Sequence, residues 1–304
     1  MSVSVAIRHV TPELGEGPHW EDDKQTLLFL DHVKCELFRW CPVTEELKSL
    51  KLGRSCLGAV VPCRKGGYLV GMERTLSHLD WDSGTTTLIQ EIQSVGINDT
   101  FNDGKCDPAG RYWTGTMGAR VDRAPGFELE TSSLYSLDTT GKLVKHVDKI
   151  SVSNGMAWSK DHQTMFYIDS MLSKVEAFDY DIVSGTISDR RDVVNFNLLP
   201  DKDTIGVPDG MTIDTDGHLW VACYNGGKVA CFDPVTGKKL REVLIPAPRT
   251  TSCCFGGKNF DELYVTTAPY LASEEELQLY PMYGSVFKVT ALGVRGQPAN
   301  VYLG

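Results

Sequence analysis

The sequence predicts an all-β fold, a six-bladed β-propeller, from three features that recur together. A small or polar residue opens each of six units, at Glu16, Gly58, Asn102, Asn154, Asp209 and Ser252. The spacings between them are 42, 44, 52, 55 and 43 residues. Roughly ten residues after each anchor comes a short apolar-aromatic strand, and a further such strand follows. A period of roughly 40 to 50 residues with about four strands per unit is the mark of propeller blades.

The elements follow in order. The second strands read LLFLD from Leu27, GYLVG from Gly67, RYWTGT from Arg111, MFYID from Met165, HLWVA from His218 and ELYVT from Glu262. The third strands read ELFRW from Glu36, TLSHLDW from Thr75, SLYSLD from Ser133, KVEAFDY from Lys174, KVACFD from Lys228 and SVFKVT from Ser285. Turns between first and second strands read DPAG at 107–110 and DTDG at 214–217, with Asp suited to start the turn and Gly to positive φ. The second of these lacks the glycine and distal glutamate of an EF-hand loop. Asn225-Gly226 predicts a tight hairpin. Two connections are long, 117–131 and 268–283, both between second and third strands; the acidic run Glu274, Glu275 and Glu276 is expected as a solvated loop tip. Residues 3–9 are expected to add a strand to the last blade and remove an open edge. Blades share one ring, so residues 1–304 are expected to form a single domain. Trp20, Trp113, Trp158 and Trp220 are expected in the core.

Composition narrows the function. A net charge of −10, with no Lys/Arg cluster, argues against nucleic acid. No apolar stretch reaches the roughly 20 residues of a membrane span, and the first residues lack a signal-peptide core. Nine cysteines without framework spacing predict reduced thiols and a cytoplasmic protein, a monomer or weak dimer. The adjacent Cys253 and Cys254 are read as packing. The sequon at Asn98 is expected to be idle.

Propeller topology decides which residues meet. The first strand of each blade lines the channel, and its start lies on the same side as the loops joining strands two and three. All six anchors and both long loops are therefore expected at one mouth. Two carboxylates among them, Glu16 and Asp209, would repel by about 4 kcal/mol at about 4 Å and an effective dielectric near 20. Either one holds a proton, or a cation sits between them. Carboxylate and amide oxygens, from Glu16, Asn154, Asp209 and Asn102, suit Ca²⁺, Mg²⁺ or Mn²⁺. None of the seven histidines is an anchor, which weakens a Zn²⁺ site without removing it. The plain alternative is that polar strand starts only bond backbone groups or channel water. There is no GxSxG elbow, HExxH or P-loop. His19 is read as a packing or outer-shell residue.

At these residues the chain resembles the senescence marker protein / regucalcin / gluconolactonase family, which includes insect luciferin-regenerating proteins. The resemblance rests on GEGPHW at 15–20, FNDGK at 101–105, DPAGRY at 107–112, GTM at 115–117 and SNG at 153–155. It continues in FDYD at 178–181, PDGM at 208–211, LWVACYNGG at 219–227 and TTSCCFGGK at 250–258. It implies a central metal site holding one divalent ion, Ca²⁺ first, with Zn²⁺, Mn²⁺ or Mg²⁺ as alternatives. Glu16, Asn154 and Asp209 match the family's metal ligands, and Asp209 its general base. Asn102 matches an asparagine near the substrate. The implied activity is hydrolysis of sugar lactones, and some members cleave organophosphates. Two positions depart from vertebrate members: Thr100 replaces an arginine and Arg120 a glutamate, both at the substrate rim. The expected function is thus a metal-dependent lactonase acting on a small lactone or ester. The alternatives are a hydrolase of another ester, an organophosphate or a luciferin-related compound, and a calcium-binding regulatory protein without turnover. A protein-interaction propeller is the weakest reading, since Trp81-Asp82 is the only such pair.

Overall fold

Six four-stranded antiparallel sheets follow one another along the chain in a computed structural model that describes residues 1–93, 99–122 and 126–304. The six anchors stand on the inner strands Gly15–Glu21, Leu57–Pro62, Thr100–Cys106, Ser153–Trp158, Val207–Ile213 and Thr250–Gly256. Each inner strand packs against the inner strands of both neighbouring blades, so the six close into a propeller. Every second and third strand expected from the sequence forms, within a residue or two at its ends. The predicted closure also forms. Strand Ser2–Ile7 is the outer strand of blade six and pairs with Val286–Thr290, Val3 opposite Val289 and Val5 opposite Phe287. The chain's beginning thus covers the edge its end would leave open.

The apolar residues explain why the blades need one another. Among the described residues they form six buried clusters, each at the interface between two neighbouring blades rather than inside one blade. A blade is a sheet with two apolar faces, and only the ring buries both. The predicted core tryptophans sit at these interfaces. Trp20 of blade one stacks on Tyr264 of blade six with ring centroids 5.6 Å apart. Trp113 and Trp158 meet edge to face between blades three and four at 6.3 Å.

Two of those tryptophans are oriented by the turns beside them. Asp107 is fully buried; its carboxylate accepts the backbone N–H of Ala109 and Arg111 and, at 2.9 Å, the indole N–H of Trp113. Asp214 repeats the device with Asp216, His218 and, at 3.0 Å, Trp220. A buried carboxylate is tolerated because every donor around it is aimed at it.

The long connections differ from expectation in one respect. The acidic run is not a bare loop tip: Glu274–Leu279 is a short helix. Ser273 accepts from the Glu276 N–H at 3.1 Å while the Glu276 carboxylate accepts from the Ser273 N–H at 2.9 Å, a capping box. Three glutamates in its first turn suit the positive end of the helix dipole. Residues 123–125 of the other long loop, and Asn98 of the sequon, lie outside the described residues.

The C-terminal tail crosses the face opposite the anchors, which sequence reading did not anticipate. The Thr215 N–H donates to Arg295 O in blade five, the Tyr302 N–H to Pro62 O in blade two, and the Leu303 N–H to Gly110 O in blade three. The Tyr302 ring is buried and its hydroxyl donates to Asp138 O at 2.8 Å. Deleting residues 300–304 is expected to lower the melting temperature by roughly 5–10 °C, the scale of losing one buried aromatic and its bonds. Calorimetry checks this, and an unchanged transition would show that the tail does not brace the blades.

Candidate functional site

A backbone irregularity places the site residues. On blade one, Glu16 faces Leu30 and His19 faces Leu28, so the inner strand holds one residue more than its partner. The same extra residue lies between Phe101 and Gly104, between Ser153 and Met156, and between Pro208 and Met211. Slips at Leu57/Ala59 and Thr250/Ser252 complete the set, so all six inner strands are bulged at their anchor. A bulge breaks strict alternation and re-aims a side chain. Two of the anchors are followed by glycines that let the inner strands touch. A Cβ on Gly155 would stand 2.6 Å from Met211 Cβ, and one on Gly210 would stand 2.0 Å from Ser252 Oγ.

The bulges and loops frame a cavity of about 560 Å³ at one mouth of the channel. Glu16, Asn102, Asn154 and Asp209 line it, and so do Thr100 and Arg120. All six residues singled out from the sequence therefore meet in one place. The other two anchors, Gly58 and Ser252, do not line the cavity and serve close packing between inner strands instead. Asn154 and Asp209 are buried, Glu16 and Asn102 are half-buried, and Arg120 is exposed.

Hydrogen bonds fix the amides and leave the acids open. Asn102 Nδ2 donates to Ser153 O at 2.8 Å, tying blade three to blade four. Asn154 Nδ2 donates to Ser170 Oγ at 2.8 Å, and Ser170 Oγ donates in turn to Pro208 O at 2.7 Å beside Asp209. This orientation commits the Asn154 nitrogen and turns its oxygen toward Asn102, whose Nδ2 donates to it at 3.4 Å, a long bond that leaves the oxygen a lone pair for a ligand. Among the described residues the Glu16 carboxylate accepts only the Gly17 N–H, at 3.0 Å. Among the described residues no protein donor bonds the Asp209 carboxylate.

The electrostatics match that geometry. Burial pushes the Glu16 carboxyl up to about 8, with the Asp103 carboxylate adding to the rise and the Gly17 N–H opposing it. Burial, then Glu16, then Asp103 drive Asp209 well above the usual carboxylate range. Asp103 itself is raised by burial, against the pull of Lys105 and the Gly104 N–H. The sequence pattern points to no role for Asp103: strict alternation would put it on the face opposite Asn102. The Phe101/Gly104 bulge turns this stretch so that the Asp103 charge reaches both other acids. Gly104 next to it was the available signal. Lys105 Nζ donates to Met211 O at 2.6 Å across the channel and supplies a positive charge below the acids.

A divalent cation fits this donor set. Glu16 and Asp209 repel each other at the channel floor, and among the described residues the Asp209 oxygens have no protein donor. With Asn154 they offer hard oxygen ligands of the kind Ca²⁺ and Mg²⁺ take. A second candidate group lies elsewhere. Asp214, His218 and Cys231 bring ligand atoms within 4.8 Å of one another at a turn of blade five. Both Asp214 oxygens already accept the turn's N–H groups and the Trp220 indole, and burial pushes the Cys231 thiol up to about 12. That group reads as a brace for the turn. His19 is buried, its imidazole lowered to about 4 by burial.

The rim joins opposite blades. Arg120, from the long loop of blade three, lies 4.6 Å from the Tyr270 ring, from the long loop of blade six, and 5.7 Å from Phe127. The blade-six loop is held down where Arg249 Nη2 donates to Glu276 at 3.0 Å. Tyr224 stands between rim and floor; burial pushes its hydroxyl up to about 12.

Fold and site together define a class: a propeller whose channel floor is acidic beneath a cavity of ligand size. The SMP-30/Gluconolactonase/LRE-like region matches residues 14–269, and the chain belongs to that family. It is 44% identical over 292 residues to regucalcin of Danio rerio, covering 96% of this chain and 95% of the relative. A solved luciferin-regenerating enzyme matches with a TM-score of 0.90 at 33% identity, covering 100% of both chains. A solved regucalcin of Agrobacterium tumefaciens, described as a calcium-binding protein, matches at a TM-score of 0.87 and 24% identity, covering 98% of this chain and 97% of its own. At that identity the last likeness speaks for the fold. The family supports a lactonase-like or calcium-binding role. All nine cysteines are free, and among the described residues no helix is long and apolar enough to cross a membrane.

Proposed function

We propose that the chain is a divalent-metal-dependent hydrolase of lactones or similar esters, one domain of six blades with its site at the channel mouth. The observation that carries this reading is the convergence of Glu16, Asn154 and Asp209 under a ligand-sized cavity, with no donor among the described residues bonding Asp209. Glu16, Asn154 and Asp209 would hold the metal, Ca²⁺ being the first choice for an all-oxygen set. When bound, the cation acts as a Lewis acid on the carbonyl and offsets charge developing on its oxygen. Asp209 takes a proton from water, which then attacks the carbonyl carbon. The cation would keep Asp209 ionised and able to accept that proton, and Asn102, fixed by Ser153, orients the substrate. Nine free thiols fit a reducing, cytoplasmic setting.

The test is hydrolysis of glucono-δ-lactone and of unsubstituted δ-valerolactone by chelator-stripped protein, re-supplied in turn with Ca²⁺, Mg²⁺, Mn²⁺ and Zn²⁺. Turnover restored by metal supports the reading. A second reading, calcium binding without turnover, is favoured by the hard-oxygen floor itself. Tight, Ca²⁺-selective calorimetric binding with no hydrolysis of either lactone would select it. Arg120→Glu is expected to change the ratio of the two hydrolysis rates by about tenfold while leaving metal affinity within about twofold, since the residue sits on the rim. A changed metal affinity with an unchanged ratio would remove Arg120 from substrate choice.

A further inference from the structure

Among the described residues the cavity is acidic only at its floor. Its walls carry Leu14, Val33, Met117, Val152, Met171 and Val207, contributed by blades one, three, four and five and the segments leading into them. Several polar groups of the wall are already committed. Asn102 Nδ2 bonds Ser153 O, and Ser170 Oγ is engaged on both sides, by Asn154 and by Pro208. The Ser55 N–H and hydroxyl both go to Glu73, at 2.9 and 2.7 Å. Among the described residues, Thr100, Asn225, the Tyr224 and Tyr270 hydroxyls, Asn102 Oδ1 and the buried Nδ1 of His32 are the wall groups left to meet ring hydroxyls. A polyhydroxy ring would set some of its hydroxyls against the apolar stretches of wall, which is costly, whereas an apolar ring would find matching surface there.

Arg120 sets the second requirement. Its guanidinium rests against the Tyr270 and Phe127 rings, and among the described residues no carboxylate pairs with it. A guanidinium held on aromatic faces keeps its charge and its planar fork of donors ready for an incoming carboxylate.

We infer that the preferred ligand has an apolar, ring-sized body and an anionic group, a carboxylate, that pairs with Arg120, rather than a chain of hydroxyls. This names the substrate class of the site and rests on the hydrolase reading above: a lactone or ester with an apolar body and a carboxylate at the rim.

The experiment is calorimetric titration of the Ca²⁺-loaded protein and of Arg120→Gln with phenylbutyrate, its neutral amide phenylbutanamide, and gluconate. Phenylbutyrate should bind about tenfold tighter than gluconate and about fivefold tighter than its amide. In Arg120→Gln the preference over the amide should fall to within about twofold while the amide's own affinity stays. Gluconate binding as tightly as phenylbutyrate overturns the apolar body. A preference for the carboxylate that survives Arg120→Gln overturns the assignment of the charge to Arg120, because the anion is then read at the floor. Hydrolysis of glucono-δ-lactone and δ-valerolactone is followed in the same preparations. The expected binding pattern without any turnover counts against the hydrolase and leaves the ligand class standing. Turnover with gluconate preferred does the reverse.

Discussion

Replacing Asp209 with Ala is expected to cut turnover of any lactone the parent protein hydrolyses by about a thousandfold or more, with the propeller intact. Two roles fall together, a cation ligand and the base. Asp209→Asn separates them. Asn keeps an oxygen for the cation but cannot accept a proton at neutral pH, so metal affinity should fall less than in Asp209→Ala while turnover falls as far. The fold should not suffer in either variant. Asp209 is a buried carboxylate near Glu16 and Asp103 with no donor among the described residues to stabilise it, so its removal relieves a burial cost and then a repulsion. The metal-free variants should melt at or above the temperature of the metal-free parent, the usual trade between a strained site and stability. Stopped-flow or pH-stat rates with parallel melting curves check this. Full activity in Asp209→Ala would end the mechanism.

How far this was legible in the chain depends on which signals repeat. The blades were, because anchors, strands and turns recur six times and a local misreading of one blade is corrected by the others. The meeting of Glu16, Asn154 and Asp209 was also legible, because ring topology brings equivalent positions together whatever their separation in sequence. Asp103 was hidden by the same alternation that identified the strands: a one-residue bulge, invisible in periodicity, decides where its charge acts. The tail escaped for a different reason. Tyr302 and Leu303 bond to Pro62, Gly110 and Asp138, contacts made by single residues far apart in sequence with no repeat behind them. The helix Glu274–Leu279 carries a local signal, Ser273 three residues before Glu276, which the expectation of a solvated loop tip does not use.

In chelator the protein is expected to lose stability as pH rises, and divalent metal is expected to cancel that loss. Glu16 is raised from 4.5 to about 8 in the fold, so between those values the native state holds a proton the unfolded chain has released. Unfolding free energy then falls with rising pH through that window, on the order of 1.4 kcal/mol per unit for each group fully engaged. Asp209, raised for the same causes, works in the same direction. Other groups oppose it. His19, His32 and His146 are lowered to about 4 by burial, so they favour the folded state more as pH rises from about 4 toward 6.5. The informative quantity is therefore a difference. The slope of melting temperature against pH in chelator should be steeper downward in the parent than in Glu16→Gln or Asp209→Asn. Saturating Ca²⁺ keeps both carboxylates ionised and should bring the parent's slope level with the variants', with proton release on binding that grows as pH falls below about 8. Equal slopes in parent and variants without metal would mean that neither carboxyl is raised in the fold, by burial or by its neighbours. The argument that a cation is needed between them would then have lost its physical basis.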